Sequence, residues 1–240
     1  MSTDERHQET RAYYDDFAAG YDRERNHGYH LFLDELEFSV ARPYLEDKVV
    51  LEAGCGTGLL LGRAQQAARR AVGVDLSPGM LEKARQRGLE VRQADLASLP
   101  FDDHSFDTVC SFKVLAHIHD IARALNELDR VTRPGGHLVL EFYNRRSLRA
   151  LVKAVKRPGR ISGQRTENDV YTRFDTLEEI RAMAPSGWQV QQVRGARVWT
   201  TLTGVYDWPV AAPLMRGLER LSSHGPMGRL GGFLIVVFGK

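Results

Sequence analysis

Cysteine is nearly missing from this chain: Cys55 and Cys110 are the only two in 240 residues. Two thiols cannot build a disulfide framework, and neither stands at metal-ligand spacing from a histidine or from the other. A stapled secreted fold is thereby excluded, and a reducing cytoplasm is the expected compartment. Long apolar runs are missing too, none approaching the roughly 18 residues of a membrane span. The first ten residues, MSTDERHQET, are polar and acidic where a secretory leader would be basic and then apolar, so a soluble protein is expected. No large charge of either sign is present, since 33 Lys and Arg against 31 Asp and Glu leave a formal net charge of +2. Whole-surface attraction to nucleic acid is disfavoured, and any basic partner site must be local. There is no internal repeat and no low-complexity linker.

What is present is ordinary for a globular chain, with 42% hydrophobic and 27% charged residues and length enough for one large domain or two small ones. Tyr13, Tyr14, Phe17 and Tyr21 fall at helical spacing with Gly20 as a stop, and a second helix is expected from about Leu31 to Leu45. Strand and helix signals then alternate: VVLEAG, a helix after Gly58, AVGVD, a helix from Ser77 to about Gln86, LEVRQAD, and FDTVCSF. That alternation winds a parallel sheet. Ser77 is a good N-cap with Pro78 behind it, and Gly88 ends that helix. Asp120 caps the next, whose inward face is Ile121, Leu125, Leu128 and Val131; RPGG, from Arg133 to Gly136, ends it and feeds the strand HLVLEFY. Further on come a helix around Leu177 to Ala184, the strand WQVQQVRGARVW, a helix-like run around Leu214, Leu218 and Leu221, and a closing strand GFLIVVFGK.

The stretch VVLEAGCGTGLL places three glycines in five positions between a strand and a helix. Such a turn offers backbone N–H groups and lets a ligand approach the main chain, usually a pyrophosphate. Dinucleotide sites use G-x-G-x-x-G with an acid about 20 residues on. Here the acid is present as Asp75, but the glycines are Gly54, Gly56 and Gly58, and Glu52 would repel a phosphate in a partly desolvated cleft. A ligand carrying an ammonium and a sulfonium would be attracted instead.

The runs LEAGCGTG, VGVDLSPGML, QADLASLPFDDHSFDTV and RPGG, in this order, resemble a class I S-adenosylmethionine-dependent methyltransferase of the small-molecule group that includes the ubiquinone and menaquinone C-methyltransferases. The resemblance covers Tyr13 to Phe142 well and the rest weakly. It implies an α/β, Rossmann-like fold: a seven-stranded, mostly parallel sheet with helices on both faces, the last strand antiparallel, and helical lid insertions. It also implies one methyltransferase domain over 1–240, with a helical cap at 1–46, a cofactor-binding core at 47–143, lid and substrate segments with strand six at 144–231, and the final strand at 232–240.

The cofactor implied is S-adenosylmethionine, with S-adenosylhomocysteine as product. Carried over by position, Glu52 reaches the methionine amino end, Gly54, Gly56 and Gly58 let the cofactor lie against the turn, and Asp75 takes both ribose hydroxyls. Leu76 and Met80 pack on the adenine, Asp95 accepts from its exocyclic amine, and the Leu96 N–H contacts the ring. Ser111 and Phe112 border the methionine and the methyl group. Core packing is the alternative for Leu76, Met80 and Phe112, and Cys55 is a space-filler.

Methyl transfer is an in-line displacement, so alignment of the nucleophile and exclusion of water come first, and a base serves only a nucleophile that must lose a proton. In some small-molecule relatives a histidine pair follows the fourth strand. Here the run LAHIHD has Ala116 in the first place, leaving His117 either as the candidate base or as a structural histidine near the helix start, and His119 as a solvated residue ahead of the Asp120 cap. No NPPY-like run and no acidic cluster of the metal-dependent type is present, so a metal-free reaction on a small, partly apolar acceptor is expected. Tyr14, Phe17, Tyr21, Tyr143, Trp199, Tyr206 and Trp208 lie in segments that the family places over the carboxyl edge of the sheet, where ligands bind. Some of them are expected to line the pocket, lid core being the alternative for most, and Tyr21 is the first choice among them.

From Arg145 to Arg165 there are eight Lys or Arg residues and no acid. A solvated lid helix, a grip on an anionic acceptor, and peripheral contact with an anionic membrane are the three readings. Nucleic acid is not an expected partner, and monomer and homodimer both stay open. The rivals to methyl transfer are a catalytically silent binding or regulatory protein on the same fold and a nicotinamide-dependent oxidoreductase, the latter opposed by Glu52 and the glycine spacing.

Overall fold

The computed structural model describes residues 14, 15, 18, 21, 22, 25, 28–147, 150, 160–162, 165, 166, 171–200 and 203–240, with backbone alone at 160–162, 165, 166 and 203. Five strands are wound through the first part: β1 (Val49–Ala53), β2 (Arg70–Asp75), β3 (Val91–Gln93), β4 (Phe106–Ser111) and β5 (Thr132–Tyr143). Two more, β6 (Gln189–Ala196) and β7 (Phe233–Gly239), complete a seven-stranded sheet in the order β3-β2-β1-β4-β5-β7-β6. The pairs among β1 to β5 are parallel, while β7 runs antiparallel to both β5 and β6. A ribbon of Arg160–Ser162 and Arg165–Thr166 stands apart from this sheet.

Side chains alternate across the strands and build two cores. On one face Leu51, Val109, Leu138, Leu140, Leu234 and Val236 meet α4 (Ile121–Val131) and α5 (Leu177–Met183). On the other, Val50, Cys110, Val139, Ile235 and Val237 meet α1 (Gly28–Ala41), α2 (Leu59–Ala67) and α3 (Pro78–Gln86). β7 is buried along its whole length, which its unbroken apolar run FLIVVFG requires of a strand covered on both faces.

The helix ends follow local chemistry. Ser77 accepts from the Met80 N–H at 3.1 Å and Asp120 from the Arg123 N–H at 3.1 Å, the two caps read from sequence. A capping box at Thr176 and Glu179 starts α5. The second helix lies earlier than expected, at Gly28–Ala41, and a 3₁₀ turn from Arg42 to Tyr44 with Pro43 takes over where a helix to Leu45 was expected. RPGG does not precede the strand but lies within β5 as an irregularity: pairing shifts between Phe106 and Thr108, and Gly135 adopts φ 75°. At the start of the chain, Tyr14, Asp15, Ala18, Tyr21, Asp22 and Arg25 are helical, on both sides of the expected stop at Gly20. Tyr13 and Phe17 lie outside the described residues, as does most of 145–165. At the beginning of that basic run Arg145 and Arg146 pair with Glu179 at 2.9 Å and Glu178 at 3.3 Å.

The last helices are α6 (Ala211–Ser222) and the single turn α7 (Gly225–Gly228). The helical run around Leu214, Leu218 and Leu221 is where the sequence placed it, but its leucines face solvent. The inward face is Ala212, Glu219 and Ser222.

Candidate active site

The turn from β1 into α2 stands at the carboxyl edge of the sheet, and its glycines divide into two kinds. At Gly54 (φ 80°) an added Cβ would lie 2.2 Å from Val114 Cγ2, and at Gly58 (φ 82°) 2.3 Å from Leu89 Cδ1. Both are demanded by packing as well as by backbone. Gly56 (φ 53°) has nothing within 4 Å of an added Cβ and opens onto a cavity of about 470 Å³. The N–H groups of Gly54 and Cys55 both donate to the Val74 carbonyl, at 2.7 and 2.9 Å, which pins the turn to the end of β2.

Asp75 closes β2 beside that turn. Its Oδ2 accepts from the Gly56 N–H and its Oδ1 from the Ser77 N–H, each at 2.9 Å, so the carboxylate is fixed in orientation with lone pairs toward the cavity. Burial pushes its pKa above the usual carboxylate range, and these backbone donors pull it back. Leu76, Met80, Asp95, Leu96 and Phe112 line the same cavity, and Asp95 Oδ1 accepts from the Ala97 N–H at 2.9 Å.

Three expected cofactor residues do not form its wall. Gly58 is the N-cap of α2. Ser111 is fully buried and its hydroxyl donates to the Ala53 carbonyl at 2.8 Å, tying β4 to β1 rather than facing the methyl end. Glu52 lies beneath the floor, 5% exposed, with Oε2 unpartnered among the described residues. Burial raises its pKa to about 8, with Lys113 pulling down and Glu37, Asp34 and Asp75 pushing further up.

Tyr14, Tyr21 and His117 also line this cavity. His117 sits in a 3₁₀ turn, Leu115–His117, and its Nδ1 meets the Tyr171 carbonyl at 2.8 Å. A donating Nδ1–H there leaves the lone pair on Nε2 in the neutral ring. Its ring lies 6.5 Å from Tyr14 and 5.7 Å from Tyr143, both edge to face. Tyr143 therefore stands behind His117 rather than on the cavity wall. Tyr206 is farther still: 4% exposed, it stacks on Phe32 and bonds the Thr200 hydroxyl at 2.9 Å, inside the lid core. Trp208 is 68% exposed on the outer surface, and Trp199 turns its Nε1 to Ser222 at 2.7 Å. His119 stacks on Tyr171 and, exposed as it is, also lines the cavity.

Two sets of residues were missed from sequence. Asp15 accepts from the Ser77 hydroxyl and the Gly79 N–H, at 2.5 and 3.0 Å, and Asp22 accepts from Thr57 at 2.7 Å and Arg87 at 2.8 Å. These acids lie seven apart, like Tyr14 and Tyr21 beside them, and they fasten the opening helical residues over the glycine turn; that spacing was a readable signal. The second set is a buried charge cluster. Lys113, itself in the left-handed region at φ 61°, sends Nζ to Asp34 Oδ1 at 2.9 Å and to Glu37 Oε2, and Arg25 also bonds Asp34. Glu141 lies next to Glu37, and burial together with that neighbouring carboxylate raises its pKa well above the carboxylate range. Acids at 34 and 37 on an otherwise apolar helix face were the only sequence hint.

Residues 51–140 match the Methyltransferase domain family. The malonyl-[acyl-carrier protein] O-methyltransferase of Serratia marcescens is 32% identical over 77% of this chain and 68% of its own length. The demethylmenaquinone methyltransferase of Mycobacterium sp. (strain KMS) is 33% identical over 65% of this chain and 71% of its own. Several further curated relatives match over only 32 to 45% of their length. In fold, the chain is similar to the crystal structure of a SAM-dependent methyltransferase from Thermotoga maritima, with a TM-score of 0.67, 22% identity, and coverage of 95% of this chain and 98% of that one. An acid-anchored glycine turn at the carboxyl edge of a 3-2-1-4-5-7-6 sheet is thus joined by relatives in sequence and in fold, and the chain belongs to the S-adenosylmethionine-dependent methyltransferases, enzymes that transfer the methyl group of that cofactor.

Proposed function

We propose that this enzyme methylates an oxygen, nitrogen or carbon nucleophile of a small, partly apolar metabolite by in-line displacement. The observation that carries the reading is that one cavity is lined by the fixed Asp75 carboxylate, the open Gly56 backbone, His117 and Tyr14. The cavity suits the cofactor in three respects: Gly56 leaves room against the main chain, Asp75 presents two oriented oxygens to a vicinal diol, and the Glu52 Oε2 beneath the turn has no hydrogen-bond partner among the described residues, an acceptor that an ammonium could reach. When bound, S-adenosylmethionine supplies a methyl carbon made electrophilic by its sulfonium.

The chain's own residues do the rest. Asp75 holds the ribose hydroxyls, Leu76 and Met80 pack on the adenine, and Asp95 with the Leu96 N–H reads its edge. Gly54, Gly56 and Gly58 shape the turn, Glu52 answers the amino group, and Phe112 excludes water near the reacting carbon. Ser111 acts from the sheet, keeping β4 against β1. Tyr14, Tyr21 and the acids beside them close the cavity from above, which desolvates the nucleophile and fixes its approach. His117, held through Nδ1, keeps Nε2 as proton acceptor for an acceptor that must lose a proton. Tyr143, behind His117, steadies that ring by edge-to-face packing.

One curated relative's name specifies O-methylation of malonyl-[acyl-carrier protein], and the other names demethylmenaquinone, so the acceptor molecule differs even among these relatives. The test is calorimetric titration with S-adenosylmethionine and S-adenosylhomocysteine, followed by S-adenosylhomocysteine release with panels of phenolic, carboxylic and amine acceptors. Binding of both ligands with turnover on one panel is expected; binding without turnover on any panel would favour the silent alternative.

A further inference from the structure

Among the described residues, the large apolar side chains left exposed fall, Tyr171 apart, between Trp199 and Leu230. Trp208 is 68% exposed, Val210 79%, Leu214 72%, Leu221 81% and Leu230 51%. Single exposed hydrophobics are ordinary, but a run of them on one element is not. At 100° per residue Val210, Gly217, Leu221, Leu214 and Leu218 share one narrow stripe along α6 and its N-terminal turn, on the side opposite Ala212 and Glu219. The helix is held this way round by Glu219, which is fully buried and accepts from the N–H groups of Val198, Trp199 and Thr200 at 2.8 to 2.9 Å. Turning the leucines inward would leave those donors unpaired and expose the carboxylate.

The charges around the stripe are mainly positive, the exposed Asp207 before the helix and the half-exposed Glu35 beside Arg220 being acids at its border. From Trp208 to Lys240 the only acid is Glu219, which is buried, while Arg216, Arg220 and Arg229 accompany the helix and the turn after it. Arg220 is 61% exposed in its side chain and meets Glu35 only at 3.5 Å. The stripe is convex, with leucines standing out from a helix rather than lining a groove. An isologous contact with a second copy would set these arginines against their own equivalents with no exposed acid on α6 or α7 to answer them, Asp207 standing before the helix and Glu35 already meeting Arg220. A surface that is deformable, apolar within and anionic at its boundary meets all three features.

We propose that α6 and the turn before it dock on an anionic lipid surface, Trp208, Leu214 and Leu221 entering the interface and Arg220 and Arg229 meeting the headgroups. The face lies at the carboxyl edge of the sheet. β6 ends there at Ala196, and β7 begins there at Phe233, which pairs with Tyr143 at the end of β5. Tyr143 in turn packs on His117 at 5.7 Å, so a chain of contacts runs from this edge to His117 on the cavity wall. On the methyl-transfer reading, to which this adds a source for the acceptor, the metabolite is lipid-dissolved.

The test is co-sedimentation of the full chain with phosphatidylcholine vesicles, with and without an equal share of phosphatidylglycerol, together with tryptophan emission and a parallel titration with S-adenosylmethionine. Expected are binding to the anionic vesicles at least about tenfold tighter than to neutral ones, with a blue shift of the Trp208 emission. Leu214→Glu with Leu221→Glu should weaken vesicle binding by about 100-fold and leave the melting temperature and cofactor titration unchanged. Arg220→Glu with Arg229→Glu should abolish the preference for anionic lipid. No vesicle binding, equal binding by the leucine variant, or a dimer in sedimentation velocity that the leucine variant dissolves would each overturn the proposal. Cofactor binding without lipid binding defeats the docking surface alone; lipid binding without cofactor binding defeats the methyl-transfer reading and leaves the surface standing.

Discussion

Two amphipathic helices of similar length, α4 and α6, are built alike in sequence and used in opposite ways. α4 sends Ala124, Leu125, Leu128 and Val131 into the sheet, all of them buried, and leaves its polar side in solvent. α6 buries Ala212, Glu219 and Ser222 and holds Leu214 and Leu221 outward. The difference lies in what each helix must satisfy. α4 covers an apolar sheet face, where leucine is worth roughly 1.5 to 3 kcal/mol of burial. α6 covers the loop after β6, whose N–H groups at 198–200 need an acceptor in a place without water, and one carboxylate serves three of them. Satisfying buried donors outranks burying leucines when the two compete, because an unpaired buried polar group costs about 1 to 3 kcal/mol.

That contrast can be broken at several points. Leu128→Ala should cost about 3 kcal/mol in denaturant unfolding, through lost burial and an unfilled cavity. Glu219→Ala should cost about as much, since it strands three backbone donors and the Thr200 hydroxyl; a loss below about 0.5 kcal/mol would show that the carboxylate does not set the helix's orientation. At the cofactor end, Asp75→Ala should weaken S-adenosylmethionine binding by about 100-fold, the loss of two charge-assisted hydrogen bonds, while leaving the lid intact by circular dichroism.

The pH dependence of cofactor binding separates Glu52 from Asp75. With its pKa raised to about 8, free Glu52 is mostly protonated at pH 6 and ionises toward pH 8. A ligand ammonium prefers the ionised form, so affinity should rise about tenfold or more over that interval. It should fall again as the ligand's own amino group, near pH 8, loses its proton. Glu52→Gln should flatten the rising limb, and an unchanged limb in that variant would remove Glu52 from the amino end. The stability of the free protein has the opposite sign: the native state retains a proton that the unfolded carboxyl gives up near pH 4.5, so Glu52 costs stability as pH climbs from that value toward 8. The same variant should therefore melt higher than wild type at pH 8.5 and alike at pH 4. The smallest effect belongs to Leu221→Ala, within about 0.5 kcal/mol in unfolding and without change in cofactor affinity.

The chain by itself determined what depends on near neighbours. Alternating strand and helix signals, the caps at Ser77 and Asp120, the glycine turn and the acid at 75 all rest on spacings of a few residues, or on a strand end beside a turn, and they led to the parallel core and its cofactor. Asp15 and Asp22 could have been added by the same means. The tertiary structure alone decided the rest. Lys113 and Glu37 are 76 positions apart and meet only because α1 crosses the end of β4. Ser111 faces Ala53 because β4 lies beside β1, and Tyr206 and Trp208, two positions apart, part company into core and solvent. Periodicity reveals that a helix has an apolar face; which face is covered is set by the elements that fold against it, and for α6 the deciding partner was a row of backbone donors that no side-chain pattern records.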